Sequence, residues 1–192
     1  MAQNNKIDYF TITSAGNASD FGDMINGQPG STGNRYPGCT SNGTNERGLA
    51  MGGGDSGSDM IQYITMNSLG NATDFGDLIN GYSIITAGAC SNSTNERGVI
   101  GGGTGNTNVI GYITINSTGN AADFGDLTLG RSGVSACSNG TGERGIIGSG
   151  NPAGAPRTRI DYITINSTGN ATVFGAMRHD SIYAGAYSDC GT

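Results

Sequence analysis

IGYITINSTGNAADFGDL, residues 110–127, decides how this chain is read. Its first six residues place Tyr112 and Thr114 on one side and Ile113 and Ile115 on the other. That is the two-residue period of a strand. Ser, Thr, Gly and Asn follow, which is turn chemistry, and a second short strand is predicted around Phe124. Neither side of the first strand carries a charge, whereas a sheet with one wet face carries polar groups on alternate positions. Both faces are therefore predicted to be covered by neighbouring sheets.

The stretch is one of four copies. Its relatives open at Ile7 (IDYFTITSAGNASDFGDM), Ile61 (IQYITMNSLGNATDFGDL) and Ile160 (IDYITINSTGNATVFGAM). Between them lies a second recurring block, from Cys39 (CTSNGTNERGLAMGGG), Cys90 (CSNSTNERGVIGGG) and Cys137 (CSNGTGERGIIGSG). Seven ordered matches make the chain, residues 1–192, a single repeat domain with units opening near Ile7, Ile61, Ile110 and Ile160. Each unit reads as four short strands. In the third unit these are residues 133–138, 145–148, 160–166 and a last strand around Phe174.

Composition agrees with a stack of thin sheets. Glycine contributes 36 of 192 residues, at fixed places in the repeat, and hydrophobic residues contribute 34%. Such a chain suits small stacked units better than one large core. The net charge is −6 and no basic stripe is present, which argues against a nucleic-acid partner. The longest apolar runs are a few residues, so membrane insertion is not expected. The first residues, MAQNNK, lack the apolar centre of a secretory signal.

The unit resembles a kelch or galactose-oxidase-type propeller blade. That blade has an Arg near its first strand, a Gly-Gly pair ending the second, a Tyr in the third and a Trp in the fourth. Here Arg131, Gly102-Gly103, Tyr112 and Phe124 are the counterparts of those four features. Phe21, Phe75, Phe124 and Phe174 stand where the Trp would be. The repeat is more similar still to the divergent kelch-like repeats of marine bacteriophages. The resemblance implies an all-β fold: a propeller of about four blades of four short antiparallel strands. The fourth unit lacks a second strand, so a neighbouring chain could complete it. The resemblance also implies a non-enzymatic structural or adhesion component of a virion tail or appendage, assembled in the host cytoplasm. Expected partners are other virion proteins, further copies of the chain, and a host-surface glycan or receptor. A carbohydrate-binding propeller is the alternative.

The residues that could carry chemistry are few. Asp20/Asp23, Asp74/Asp77 and Asp123/Asp126 could ligate a hard cation. The fourth copy loses both carboxylates and keeps the rest, which favours Asp bonding its own backbone. Arg47, Arg97 and Arg144 recur in three units, which favours an architectural role, with the Asp of the DFGD element as the expected partner. Cys39, Cys90 and Cys137 read as equivalent small fillers, with no C-x-x-C pair and no metal assigned. His179 is the only histidine and no nucleophile elbow accompanies it, so no catalytic residue and no cofactor is expected. Segments 27–38, 54–60 and 151–159 break the repeat and are expected to project. Binding is expected on Arg157 and Arg159 in the last of these, with Tyr36, Tyr82 and Tyr183 as stacking surfaces.

Overall fold

A computed structural model describes residues 5–25, 36–42, 47–54, 58–79, 86–92, 97–139 and 143–186. Among the described residues its elements are strands, apart from one 3-10 turn at Thr104–Asn106. β1 (Lys6–Tyr9) and β2 (Ser19–Asp23) form an antiparallel hairpin. β3 (Gly38–Ser41), β4 (Arg47–Met51), β5 (Met60–Thr65) and β6 (Thr73–Asp77) form a four-stranded meander, each strand antiparallel to the next. β7 (Gly88–Ser91), β8 (Arg97–Gly101), β9 (Val109–Thr114) and β10 (Ala122–Asp126) repeat that order. A third meander contains β12 (Ser135–Ser138), β13 (Arg144–Gly148), β15 (Arg159–Thr164) and β16 (Thr172–Ala176). A two-residue pairing joins β11 (Arg131–Ser132) to β14 (Asn151–Pro152). Among the described residues no helix is long and apolar enough to cross a membrane.

The core lies between the sheets. Leu49, Met51, Ile61 and Phe75 of the first sheet meet Ile100, Ile113 and Ile115 of the second. On the opposite side, Cys90, Val99, Ile110 and Phe124 of the second sheet meet Ile147, Ile163 and Ile165 of the third. The middle sheet is thus covered on both faces, as its uncharged alternation predicts. Each fully buried aliphatic side chain contributes about 1.5–3 kcal/mol.

The fourth strand of every unit carries the same irregularity. Asp123 pairs with Gly111 and Gly125 with Ile110, so Phe124 is the extra residue of a bulge. Phe21, Phe75 and Phe174 occupy the same place in β2, β6 and β16. Each ring meets a third-strand tyrosine edge-on, at 6.1 Å for Tyr9–Phe21, 6.0 Å for Tyr63–Phe75, 6.1 Å for Tyr112–Phe124 and 6.2 Å for Tyr162–Phe174. The repeat seen in sequence is therefore a repeat in space.

Two expectations are corrected here. Segment 151–159 does not project as a whole. Asn151 and Pro152 pair with β11 and Pro152 is buried, leaving residues nearer Arg157 exposed. Cys39 is not equivalent to Cys90 and Cys137. Cys39 lies opposite Ala50, as Ala89 lies opposite Ile100, while Cys90 and Cys137 lie opposite Val99 and Ile146. Cys39 is one residue out of step and faces the other side of its strand.

Candidate functional site

Consecutive units are joined by one recurring contact, built from the bulged strand and the Gly-Asn-Ala loop of the next unit. Gly119 N donates to Phe75 O at 2.7 Å, and Ala121 N donates to Asp77 O at 2.8 Å. The Asn120 side-chain oxygen accepts from Asp77 N at 3.0 Å. The same three bonds join Phe124 and Asp126 to Gly169, Asn170 and Ala171. They also join Phe21 and Asp23 to Gly70, Asn71 and Ala72. Backbone meets backbone so closely that the bulge glycine admits no side chain. A Cβ on Gly76 would stand 2.5 Å from the Gly119 carbonyl oxygen, and one on Gly125 would stand 2.5 Å from that of Gly169. Both residues also have positive φ, at 147° and 144°.

The carboxylates of the DFGD element close this bulge. Asp74 Oδ1 accepts from Gly76 N and Asp123 Oδ1 from Gly125 N, both at 3.1 Å. That is Asp bonding its own backbone, within a strand bulge and not a free turn. The arginines do not reach these carboxylates. Arg47 lies over the Tyr63 ring at 4.5 Å, Arg97 over Tyr112 at 4.4 Å and Arg144 over Tyr162 at 4.6 Å. Arg47 Nη1 donates to Ile115 O at 2.7 Å and Arg97 Nη1 to Ile165 O at 3.0 Å, each in the next sheet. The expected Arg–Asp pairing fails because the second and fourth strands are separated by the third, whose tyrosine takes the cation.

One charged pair lies in the core. Arg131 and Asp161 are fully buried and 2.9 Å apart. Arg131 also donates to the carbonyls of Leu129, Ile147 and Ser149, and Asp161 accepts from the Thr128 hydroxyl at 2.6 Å and from Thr128 N at 3.3 Å. Among the described residues such a pair occurs once; Gln62 and Gly111 stand at the Asp161 position in the other two meanders, and Asp8 stands there in β1. Asp8 shares the position and is exposed, so the residue type there did not by itself announce a buried pair.

The first strands converge, and their leading residues form a ladder. Thr86 N donates to Tyr36 O, Gly133 N to Thr86 O and Tyr183 N to Gly133 O, at 3.1, 3.0 and 2.9 Å. All four residues have positive φ, between 57° and 70°. For Tyr36, Thr86 and Tyr183 this backbone costs roughly 1–3 kcal/mol each. Below the ladder, Ser138 Oγ donates to Ser91 O at 2.6 Å and Ser91 Oγ donates to Ser41 O. Tyr36 and Tyr183 therefore occupy equivalent places, not unrelated loops. Their rings stack with centroids 6.3 Å apart and remain 62% and 65% exposed. Tyr82 lies outside the described residues. Arg157 is exposed and Arg159 half-buried in β15, and His179 is exposed.

The exposed Tyr36–Tyr183 pair is thus the described surface best suited to a planar or ring-shaped ligand. Cys90 is buried, and desolvation together with the neighbouring Cys137 pushes its thiol up to about 12. A nucleophilic cysteine needs the opposite shift. No protein-family model matches the chain, and no curated protein matches it.

Proposed function

We propose that the chain is a non-enzymatic structural or adhesion component of a bacteriophage virion. Its meanders are blades of a kelch-like propeller, and β1–β2 belong to a fourth. The observation that carries this reading is the contact made three times between successive units. A backbone lock with glycine at its centre fixes each sheet against the next. Such an array serves as a rigid mount for whatever its rim presents. Immunogold labelling and mass spectrometry of purified particles test the proposal. It requires the chain in stoichiometric amount at one place on the particle, and a chain found only free in the lysate would overturn it.

A specific observation favours a second reading, carbohydrate binding. The Tyr36–Tyr183 pair is exposed, and its backbone is held by the strand ladder, so little ordering is needed on binding. A glycan array comparing the chain with Tyr36→Ala and Tyr183→Ala tests it. Hits lost in both variants are required, and an array without hits removes this reading.

A further inference from the structure

The last two strands of each meander are closed at one end by the same backbone bond. Leu78 N donates to Asp59 O at 2.6 Å, Leu127 N to Asn108 O at 2.7 Å and Met177 N to Thr158 O at 2.7 Å. The backbone of this corner is common to the three meanders, and its side chains are not. Around the first bond stand Ser58, Asp59, Met60, Asp77 and Ile79. Around the second stand Thr107, Asn108, Val109, Asp126 and Thr128. Around the third stand Arg157, Thr158, Arg159, Ala176 and Arg178. A corner that is acidic twice thus carries three arginines and no carboxylate the third time. In the β1–β2 hairpin Lys6 meets Asp23 at 2.9 Å, and the charges there balance.

Register gathers the three arginines. Arg159 is paired with Ala176 across β15–β16, where Lys6, Met60 and Val109 are paired with Asp23, Asp77 and Asp126. The Thr158–Met177 bond sets Arg157 and Arg178 one residue beyond it on the two strands. Arg157 and Arg178 are exposed, and Arg159 is half-buried. Among the described residues none of the three makes an ion pair. Asp161, two residues from Arg159, is already held by Arg131, and Asp180, two residues from Arg178, is exposed. The other described arginines are occupied: Arg47, Arg97 and Arg144 lie over tyrosines. Like charges on facing strands destabilise a sheet, so an anion at this corner is stabilising. Asn151 and Pro152 are pinned to β11 and Thr158 to Met177, so the segment that bears Arg157 is anchored on both sides and needs little ordering to bind.

We propose that the corner of β15 and β16 is an oxyanion-binding site for an acidic polysaccharide. Arg157, Arg159 and Arg178 take its sulfate, phosphate or carboxylate groups, each guanidinium offering a planar fork of donors. The positive charge is confined to this corner of a chain whose net charge is −6, and β6 and β10 carry Asp74, Asp77, Asp123 and Asp126. A flexible glycan engages the corner without lying along those strands. A nucleic-acid duplex is stiff, carries one charge per ~1.7 Å of its axis, and would have to run past the carboxylates. The site is separate from the Tyr36–Tyr183 pair and does not rest on sugar stacking there.

The test immobilises dextran sulfate, polygalacturonate and neutral dextran and follows binding of the full chain by biolayer interferometry. The expected result is saturable binding to one or both acidic polymers and none to dextran, weakening with salt at a log–log slope of up to about 3. The ratio between the two acidic polymers says whether sulfate or carboxylate is preferred. Arg157→Gln, Arg159→Gln and Arg178→Gln each weaken binding roughly tenfold, and the triple variant loses it. Asp180→Asn strengthens binding, and Tyr36→Ala leaves it unchanged. The proposal is overturned if neither acidic polymer binds, if the triple variant binds as wild type does, or if duplex DNA binds as tightly at equal charge concentration. A Tyr36→Ala variant that loses neutral-glycan hits and keeps the acidic polymers supports two distinct sites. Thermal unfolding of the triple variant, expected no lower than wild type because repulsion is removed, separates lost binding from a lost fold; the exposed Arg157→Gln and Arg178→Gln decide the matter if it does not fold.

Discussion

Substituting alanine at two equivalent glycines separates the unit-to-unit lock from the strand that carries it. Gly125 and Gly175 hold the same place in β10 and β16, each beside the bulged phenylalanine. At Gly125 a methyl group would meet the Gly169 carbonyl at 2.5 Å, with φ at 144°. At Gly175 nothing lies within 4 Å of a built Cβ. Gly125→Ala must strain the backbone, at about 1–3 kcal/mol. It must also push the sheets apart across the 2.7 and 2.8 Å bonds from Gly169 N and Ala171 N, each bond being worth about 1 kcal/mol. The sum is about 3–5 kcal/mol, or a fall in Tm of roughly 10 °C for a chain of this size. Gly175→Ala should change stability by no more than ~0.5 kcal/mol. Urea unfolding followed by circular dichroism, with calorimetric Tm values, decides it. Equal losses at the two positions would mean that Gly175 is clamped as Gly125 is, or that the contact with Gly169 is not what makes Gly125 intolerant.

Three other outcomes are expected. Arg131→Met strands the Asp161 carboxylate in the core and should cost about 3–5 kcal/mol, while adding Asp161→Leu should restore most of it, as urea midpoints will show. Arg97→Ala removes both the contact over Tyr112 and the bond to Ile165 O and should cost roughly 1–3 kcal/mol, whereas exposed Arg157→Ala should stay within about 0.5 kcal/mol. The Cys90 thiol is raised from 9.0 to about 12 in the folded chain, so the unfolded chain ionises first. Its contribution is complete below pH 9 and is lost as pH rises from 9 to 12, at up to ~1.4 kcal/mol per unit. Cys90→Ala should flatten that alkaline slope, and a thiol reagent at pH 8 should label exposed Cys39 before Cys90.

The meander order was legible because alternation and turn chemistry are local. Glycine, asparagine and serine break the third unit where β12, β13, β15 and β16 begin and end. What joins the sheets was not legible. Arg97 finds Ile165 O across 68 residues, and no neighbour in sequence announces it. The nearby Asp of the repeat was the more obvious partner on charge alone, and it is the wrong one because a strand and its tyrosine intervene. The misaligned cysteine left a readable trace: eight residues separate Cys39 from Arg47, and seven separate Cys90 from Arg97 and Cys137 from Arg144. The strained tyrosines left none, since Tyr36 and Tyr183 share their positions with a threonine and a glycine.

The backbone lock always runs one way: the bulged strand offers carbonyls, and the loop of the following copy offers amides. An element with a donor end and an acceptor end has no inherent length. An in-frame duplication or excision of one copy leaves every remaining joint chemically intact. Genes of this kind can lengthen or shorten by unequal recombination, with selection acting on the number of copies and not on each new junction.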